Sequence, residues 1–185
     1  TPELRREESA RAARELGLDA HEVLDLGDTR LEDSHSNRVL VASLIRKYRP
    51  TLVLAPYYGL EPGRGRGHAD HLSCGHLVSH AVNFAHLEKY PAEGAPHAVK
   101  KIFYYFLPPY LKPTFIVPVD EELPVALKAL LNHKSQFEKP GKPNTFPSRF
   151  EAFAAALGAQ VGAKYGQAFY VQDVLRLEDP YSLFG

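Results

Sequence analysis

The sequence predicts an α/β layered domain on a mostly parallel sheet, and three observations carry that expectation. The chain has 185 residues, 44% hydrophobic and 24% charged, the size and balance of one globular domain with a sizeable core. Stretches of helical spacing alternate with short apolar runs. One run, Thr51-Leu52-Val53-Leu54-Ala55-Pro56, is continuous rather than alternating, as in a parallel strand buried on both faces.

Taken in order, residues 2–17 read as a helix. Thr1 suits the N-cap and Pro2 the first helical position. Leu4, Ala12, Ala13 and Leu16 share a face, and Gly17 marks the stop. Residues 21–26 (HEVLDL) are a strand candidate, and Gly27-Asp28-Thr29-Arg30 is a turn. Helical spacing returns over 35–48 through Val39, Ala42, Leu44 and Ile45. Arg46, Lys47 and Arg49 suit that helix's negative end, and Pro50 stops it. The strand at 51–55 leads into a Gly-rich loop, 57–67, and a long helix over 71–88. Residues 101–106 (KIFYYF) and 114–119 (TFIVPV) read as strands, with Pro118 pushing the second towards a sheet edge. A helix over 121–135 opens on Asp120, Glu121 and Glu122. A polar loop (138–147), a helix (148–163), an extended stretch (168–176) and a short tail follow.

Composition narrows the function. The formal net charge is zero and no basic tract occurs, so no electrostatic footprint for nucleic acid is expected. No apolar run is long enough to span a bilayer as a helix. The single cysteine, Cys74, admits no internal disulfide and suits a reducing, cytoplasmic setting. The chain opens on Thr1 and holds no Met, so an N-terminally incomplete domain is expected.

In sheets of this class ligands bind beyond the carboxyl ends of the strands, which directs attention to the loop after residue 55. That loop ends in His68-Ala69-Asp70-His71. Two imidazoles and a carboxylate at a strand-to-helix junction can converge on one metal. A catalytic zinc takes about three protein ligands and keeps a position open for water, and Asp70 would fix the tautomer of a ligand imidazole. The competing reading makes His68 and Asp70 surface residues and His71 a helix cap. His76 and His80 are four apart but lack the Glu of HExxH, so a helix-surface pair is expected. Cys74, with no base beside it, reads as a small buried residue. Gly63-Arg64-Gly65-Arg66-Gly67 lacks a GK[ST] ending and reads as a site rim whose arginines would meet an anionic group. No Gly-x-Ser-x-Gly elbow supports an esterase.

These residues resemble the PIG-L (LmbE-like) family of zinc-dependent N-deacetylases. His68-Ala69-Asp70-His71 looks like the family's HPDH motif and follows its strand. Thr1-Pro2-Glu3-Leu4-Arg5-Arg6-Glu7-Glu8 is similar to the segment after the family's first βαβ unit. Ile45-Arg46-Lys47-Tyr48-Arg49-Pro50 resembles its helix-to-strand connection. Lys134-Ser135-Gln136-Phe137 is similar to an SQF signature, and Tyr165-Gly166-Gln167-Ala168-Phe169-Tyr170 to a YGEAFY-like segment. The last two look most like the bacillithiol-biosynthesis N-acetylglucosaminyl-malate deacetylases.

The resemblance implies a single three-layer Rossmann-like domain over 1–185 whose N-terminal βαβ part is missing. It implies zinc held by His71, with His68 stabilising the oxyanion, Asp70 supporting the site and Arg5 lining the substrate pocket. The remaining His and Asp ligands and the Asp base belong to an AHPDD motif that this sequence does not contain. The implied reaction is hydrolysis of an N-acetylated amino sugar with release of acetate, in a homo-oligomer. Ala69, Gly67, Ala98 and Phe150 stand where relatives carry Pro, Arg, Arg and Tyr. The alternative is a member of the fold that binds sugar without catalysis.

Overall fold

The computed structural model describes residues 1–59, 68–138, 141, 143–179 and 181. They form two compact units, Thr1–Asp25 with Ile116–Ala168, and Leu26–Phe115 with Phe169–Gly185.

In the first unit, α1 (Pro2–Glu15) starts as expected, with the Leu4 N–H donating to the Thr1 hydroxyl at 3.3 Å. It buries Glu8, Ala12 and Ala13 and packs against α4 (Glu122–Leu131). The helix expected over 121–135 is instead two helices, α4 and the short α5 (Lys134–Phe137). The break has a tertiary cause. The buried Glu8 carboxylate accepts from the Ser135 N–H at 2.8 Å and the Ser135 hydroxyl at 2.6 Å, so it caps a fresh helix start from another part of the chain. Two segments that resemble the family separately, residues 1–8 and 134–137, thus meet in one interaction.

β3 (Phe115–Pro118) pairs with β4 (Gly166–Phe169). α6 (Phe146–Gly158) passes through a 3₁₀ turn, Ala159–Val161, into Gly162 at φ 74°. Leu123, Ala154 and Tyr165 form the core, joined by Val119, Leu127, Phe150 and Ala155. Phe150 is therefore a packing residue here. The Tyr165 hydroxyl donates to Glu151 and its N–H to Asp120, each at 2.6 Å. Residues 21–26 are no strand: they find no ladder partner among the described residues.

In the second unit, α2 (His35–Tyr48) is capped by Ser34 and closed by Arg49 in the left-handed region at φ 50°. β1 (Leu52–Pro56) and β2 (Lys101–Tyr105) run parallel, in register from Leu52 opposite Lys101 to Pro56 opposite Tyr105. α3 (Ala69–Ala85) forms the crossover between them and packs on α2 and β1. The parallel arrangement matches expectation, but burial does not. Only Ala55 and Pro56 of β1 are buried, while Leu52 and Leu54 stay exposed among the described residues. The extended stretch expected at 168–176 is ordered as a strand only over β4, followed by a bridge from Tyr170 to Tyr104.

Alanines let α2 and α3 close on each other. Ala42, Ile45, Ala81 and Ala85 make the core, flanked by Val41, Val82, Tyr90, Ala92 and Val99. Arg46 lies inside, 4% exposed. Its guanidinium donates to the carbonyls of Ala85 (2.9 Å), Leu87 (2.7 Å), Gly94 (3.2 Å) and Ala92. The sequence pattern assigns Arg46 to the end of its own helix. In the fold it neutralises the carbonyl end of α3 instead.

Candidate active site

β1 delivers the chain to Tyr57 and Tyr58 at its carboxyl end, and His68 brings it back into α3. Residues 60–67 between them, including Arg64, Arg66 and Gly67, lie outside the described residues. α3 meets the strand end closely because Gly75 has no side chain. A Cβ there would stand 2.4 Å from the Pro56 carbonyl oxygen and 2.9 Å from the Tyr58 Cβ. That approach puts the first turn of α3 beside the end of the parallel pair, where this fold class places ligands.

His68 is the N-cap of α3, with extended backbone, and its Nδ1 accepts from the Asp70 N–H at 3.2 Å. The cap is thus His68 rather than His71. With Nδ1 accepting, a neutral His68 carries its proton on Nε2, ready to donate. Ala69 is the first residue of α3, a position where Pro is well tolerated, so Ala in place of the family Pro leaves the helix start intact.

Asp70 is tied into the segment before α2. Its carboxylate accepts from the Thr29 N–H at 2.7 Å and the Leu31 N–H at 3.4 Å. Further along, Asp33 accepts Arg38 through two bonds, 2.5 and 2.6 Å, and pairs with His80 Nδ1 at 2.7 Å. These anchors hold residues 29–33 along α3 and bring in a residue that the sequence pattern did not single out. Asp28, His68 and Asp70 each offer a ligand atom within 4.8 Å of the other two. Gly27-Asp28-Thr29-Arg30 carried only a turn signal, and nothing local marks its carboxylate as a site group.

His71 sits one turn into α3, its ring 5.9 Å from that of His68 and stacked on Phe106 at 5.2 Å and 25°. Burial lowers its pKa, the neighbouring His68 lowers it further, and Asp70 partly opposes both. The ring is therefore neutral at pH 7, with a lone pair free for a metal. Neutral imidazole and carboxylate are the donor types zinc takes, so this corner fits zinc in kind. His71 lies beside the Asp28–His68–Asp70 group but is not among its three members.

The structure thus brings His68, Asp70 and His71 to one corner of the second unit. Arg5 is an exposed residue of α1 in the first unit. His76 lies against Tyr58 at 4.4 Å and His80 is held by Asp33, so both have side-chain partners. Burial pushes the Cys74 thiol up, which makes it unreactive. Ala98 is exposed in the loop before β2. No helix among the described residues is long and apolar enough to cross a membrane.

Comparison with known proteins places this geometry. The family described as GlcNAc-PI de-N-acetylase (PIG-L) matches residues 1–82. A diacetylchitobiose deacetylase of Thermococcus kodakarensis is 34% identical over 138 residues, 72% of this chain and 49% of that protein. The chain therefore spans about half the length of that relative. A conserved protein from Thermus thermophilus, of known structure, is 33% identical with TM-score 0.81, covering 96% of this chain and 77% of that one. The N,N′-diacetylchitobiose deacetylase from Pyrococcus horikoshii, complexed with its inhibitor MPG, is 28% identical with TM-score 0.76, covering 92% and 63%. A 4-carboxy-2-hydroxymuconate hydratase from Pseudomonas putida has TM-score 0.79 at 18% identity, a likeness of fold alone.

Proposed function

The chain belongs to the GlcNAc-PI de-N-acetylase (PIG-L) family, and on that premise we propose that it hydrolyses the N-acetyl group of an N-acetylglucosaminide, releasing acetate and the free amine. The observation that carries this reading is the corner at the end of β1. There a neutral imidazole on His71, the helix-capping His68 and the anchored Asp70 carboxylate stand together.

Zinc, when bound, supplies Lewis-acid chemistry for amide hydrolysis. We place His71 among the residues that would hold it; the resemblance assigns the other His and Asp ligands, and separately the Asp base, to an AHPDD motif that this sequence does not contain. The chain's own residues do the following. His68, its Nδ1 engaged by the Asp70 N–H, donates from Nε2 to the oxygen that becomes negative as the amide carbon turns tetrahedral. Asp70 fixes both that N–H and, through Thr29 and Leu31, the segment bearing Asp28. For Arg5, a pocket-lining role rests on the resemblance of residues 1–8 to the family alone.

The named relatives act on diacetylchitobiose, and this supports a GlcNAc glycoside as substrate. The bacillithiol-type malyl conjugate rests on the SQF and YGQAF segments. Ser135 and Tyr165 of those segments engage Glu8, Asp120 and Glu151 within the first unit, and so report packing rather than the group attached to the sugar.

The test is acetate release from N,N′-diacetylchitobiose and from N-acetylglucosaminyl malate by the full-length protein, with zinc content measured alongside. Chelation should abolish turnover and added zinc restore it. His71→Ala should lose metal and activity together. His68→Ala should keep the metal and lose roughly 10²–10³-fold in kcat, as for removal of an oxyanion donor. A wild type that binds no zinc and releases no acetate from either substrate would leave a sugar-binding member of the fold without catalysis.

A further inference from the structure

We infer that Phe106 is a stacking platform for the sugar ring and sets the site's preference for a pyranose; the class of ligand rests on the deacetylase reading above. Phe106 directly follows β2, at the carboxyl end of the parallel pair. One face of its ring lies against His71, 5.2 Å away at 25°, and Tyr105 meets it edge-on at 4.8 Å and 72°. Even so, Phe106 is 54% exposed.

Two features of this residue are unfavourable in the chain as described. A large apolar ring is left in water. Its backbone also sits in the left-handed region at φ 57°, which L residues other than Gly, Asn and Asp seldom adopt. The other two such residues among the described ones have visible structural work. Arg49 closes α2 with an N–H bond to Ile45, and Thr29 donates its N–H to Asp70. Phe106 closes no helix. What the left-handed turn achieves is to take the ring out of the alternation of β2 and lay it beside His71. Strain of this kind points to function.

A pyranose has one face made largely of C–H groups, and its N-acetyl group ends in a methyl. An exposed aromatic ring flanking the reacting corner matches that face. Sugar hydroxyls would be left for the polar groups, the usual division of labour in a small-molecule site. Phe106 touches substrate in this arrangement through binding alone, so its contribution is equal in ground and transition states.

The experiment uses zinc-loaded full chain, Phe106→Leu, Phe106→Gly and N,N′-diacetylchitobiose. Acetate release gives kcat and KM, a ligand-observed NMR titration gives sugar affinity, and zinc per chain is measured for each protein. Both variants should raise KM and the dissociation constant roughly fivefold, the scale of one aromatic contact, with kcat and zinc unchanged. The melting temperature of each variant is recorded, and affinity is compared only where the protein is folded, Phe106→Gly relieving the left-handed backbone while losing the ring's contacts. Unchanged KM and affinity would overturn the inference. So would a fall in zinc or kcat at constant KM, which would make Phe106 a support for His71. If wild type releases no acetate, weaker sugar binding in both variants upholds the platform while the deacetylase reading fails. Equal binding, or none by wild type, overturns the platform.

Discussion

Replacing Gly75 by Ala tests whether contact between α3 and the end of β1 builds the site. A Cβ at position 75 would lie 2.4 Å from the Pro56 carbonyl oxygen, whereas ordinary contact begins at 3.4 Å. The obstacle is backbone, so α3 and the strand end must separate by about 1 Å, a shift at which well-packed interiors already lose stability. Ala gains about 0.5–1 kcal/mol in helix propensity over Gly. Overpacking against a rigid partner costs about 3 kcal/mol, the upper part of its usual range. The net is a loss of about 2 kcal/mol, or roughly 4–8 °C in Tm at this chain length. Gly75 is one turn from His71, and a displacement of that size at the proposed catalytic corner would cost about 10²-fold in rate. Urea unfolding and kcat/KM on the same protein preparations are the assay. A Gly75→Ala protein as stable and as active as wild type would show that α3 is not positioned by its contact with Pro56.

Three further outcomes follow from side chains away from the chemistry. Arg46→Met keeps the length of the stem but removes the guanidinium from the carbonyls of Ala85, Leu87, Ala92 and Gly94, of which Ala85 and Leu87 keep the N–H groups of His97 and Tyr90; a loss of about 2 kcal/mol is expected by chemical denaturation, with hydrogen exchange fastest at the carboxyl end of α3. The Arg38 guanidinium, and after it His80, hold the Asp33 carboxyl below its usual range against the opposing effect of burial. Ionised Asp33 therefore stabilises the fold above its unfolded pKa, and this is lost as pH falls below about 4 through the lower folded value; Asp33→Asn should lower Tm at pH 7 and flatten the acid limb of the Tm–pH curve. Glu8→Ala removes the cap on Ser135, so protease cleavage and hydrogen exchange should rise first around residues 132–138, and an unchanged pattern there would refute that role.

Local rules succeeded where the partners are near in sequence. Thr1, read as an N-cap, caps α1 through a side chain three residues from the N–H it accepts. The apolar run at 51–56 became a parallel strand, and His68-Ala69-Asp70-His71 fell at the strand-to-helix junction, because such signals depend on residues within a turn or two. The motif also located the candidate corner before any packing was known. Tertiary structure decided the rest, for one physical reason: a hydrogen bond or a contact across the fold leaves no periodicity in the chain. Arg46 finds its carbonyls on α3 and in the loop after it, Glu8 splits a helix more than a hundred residues away, and residues 21–26 stay irregular because a strand exists only with a partner. Asp28 reaches His68 and Asp70 only because Asp70 and Asp33 pin its segment, and Phe106 turns onto His71 only through a backbone state its residue type disfavours.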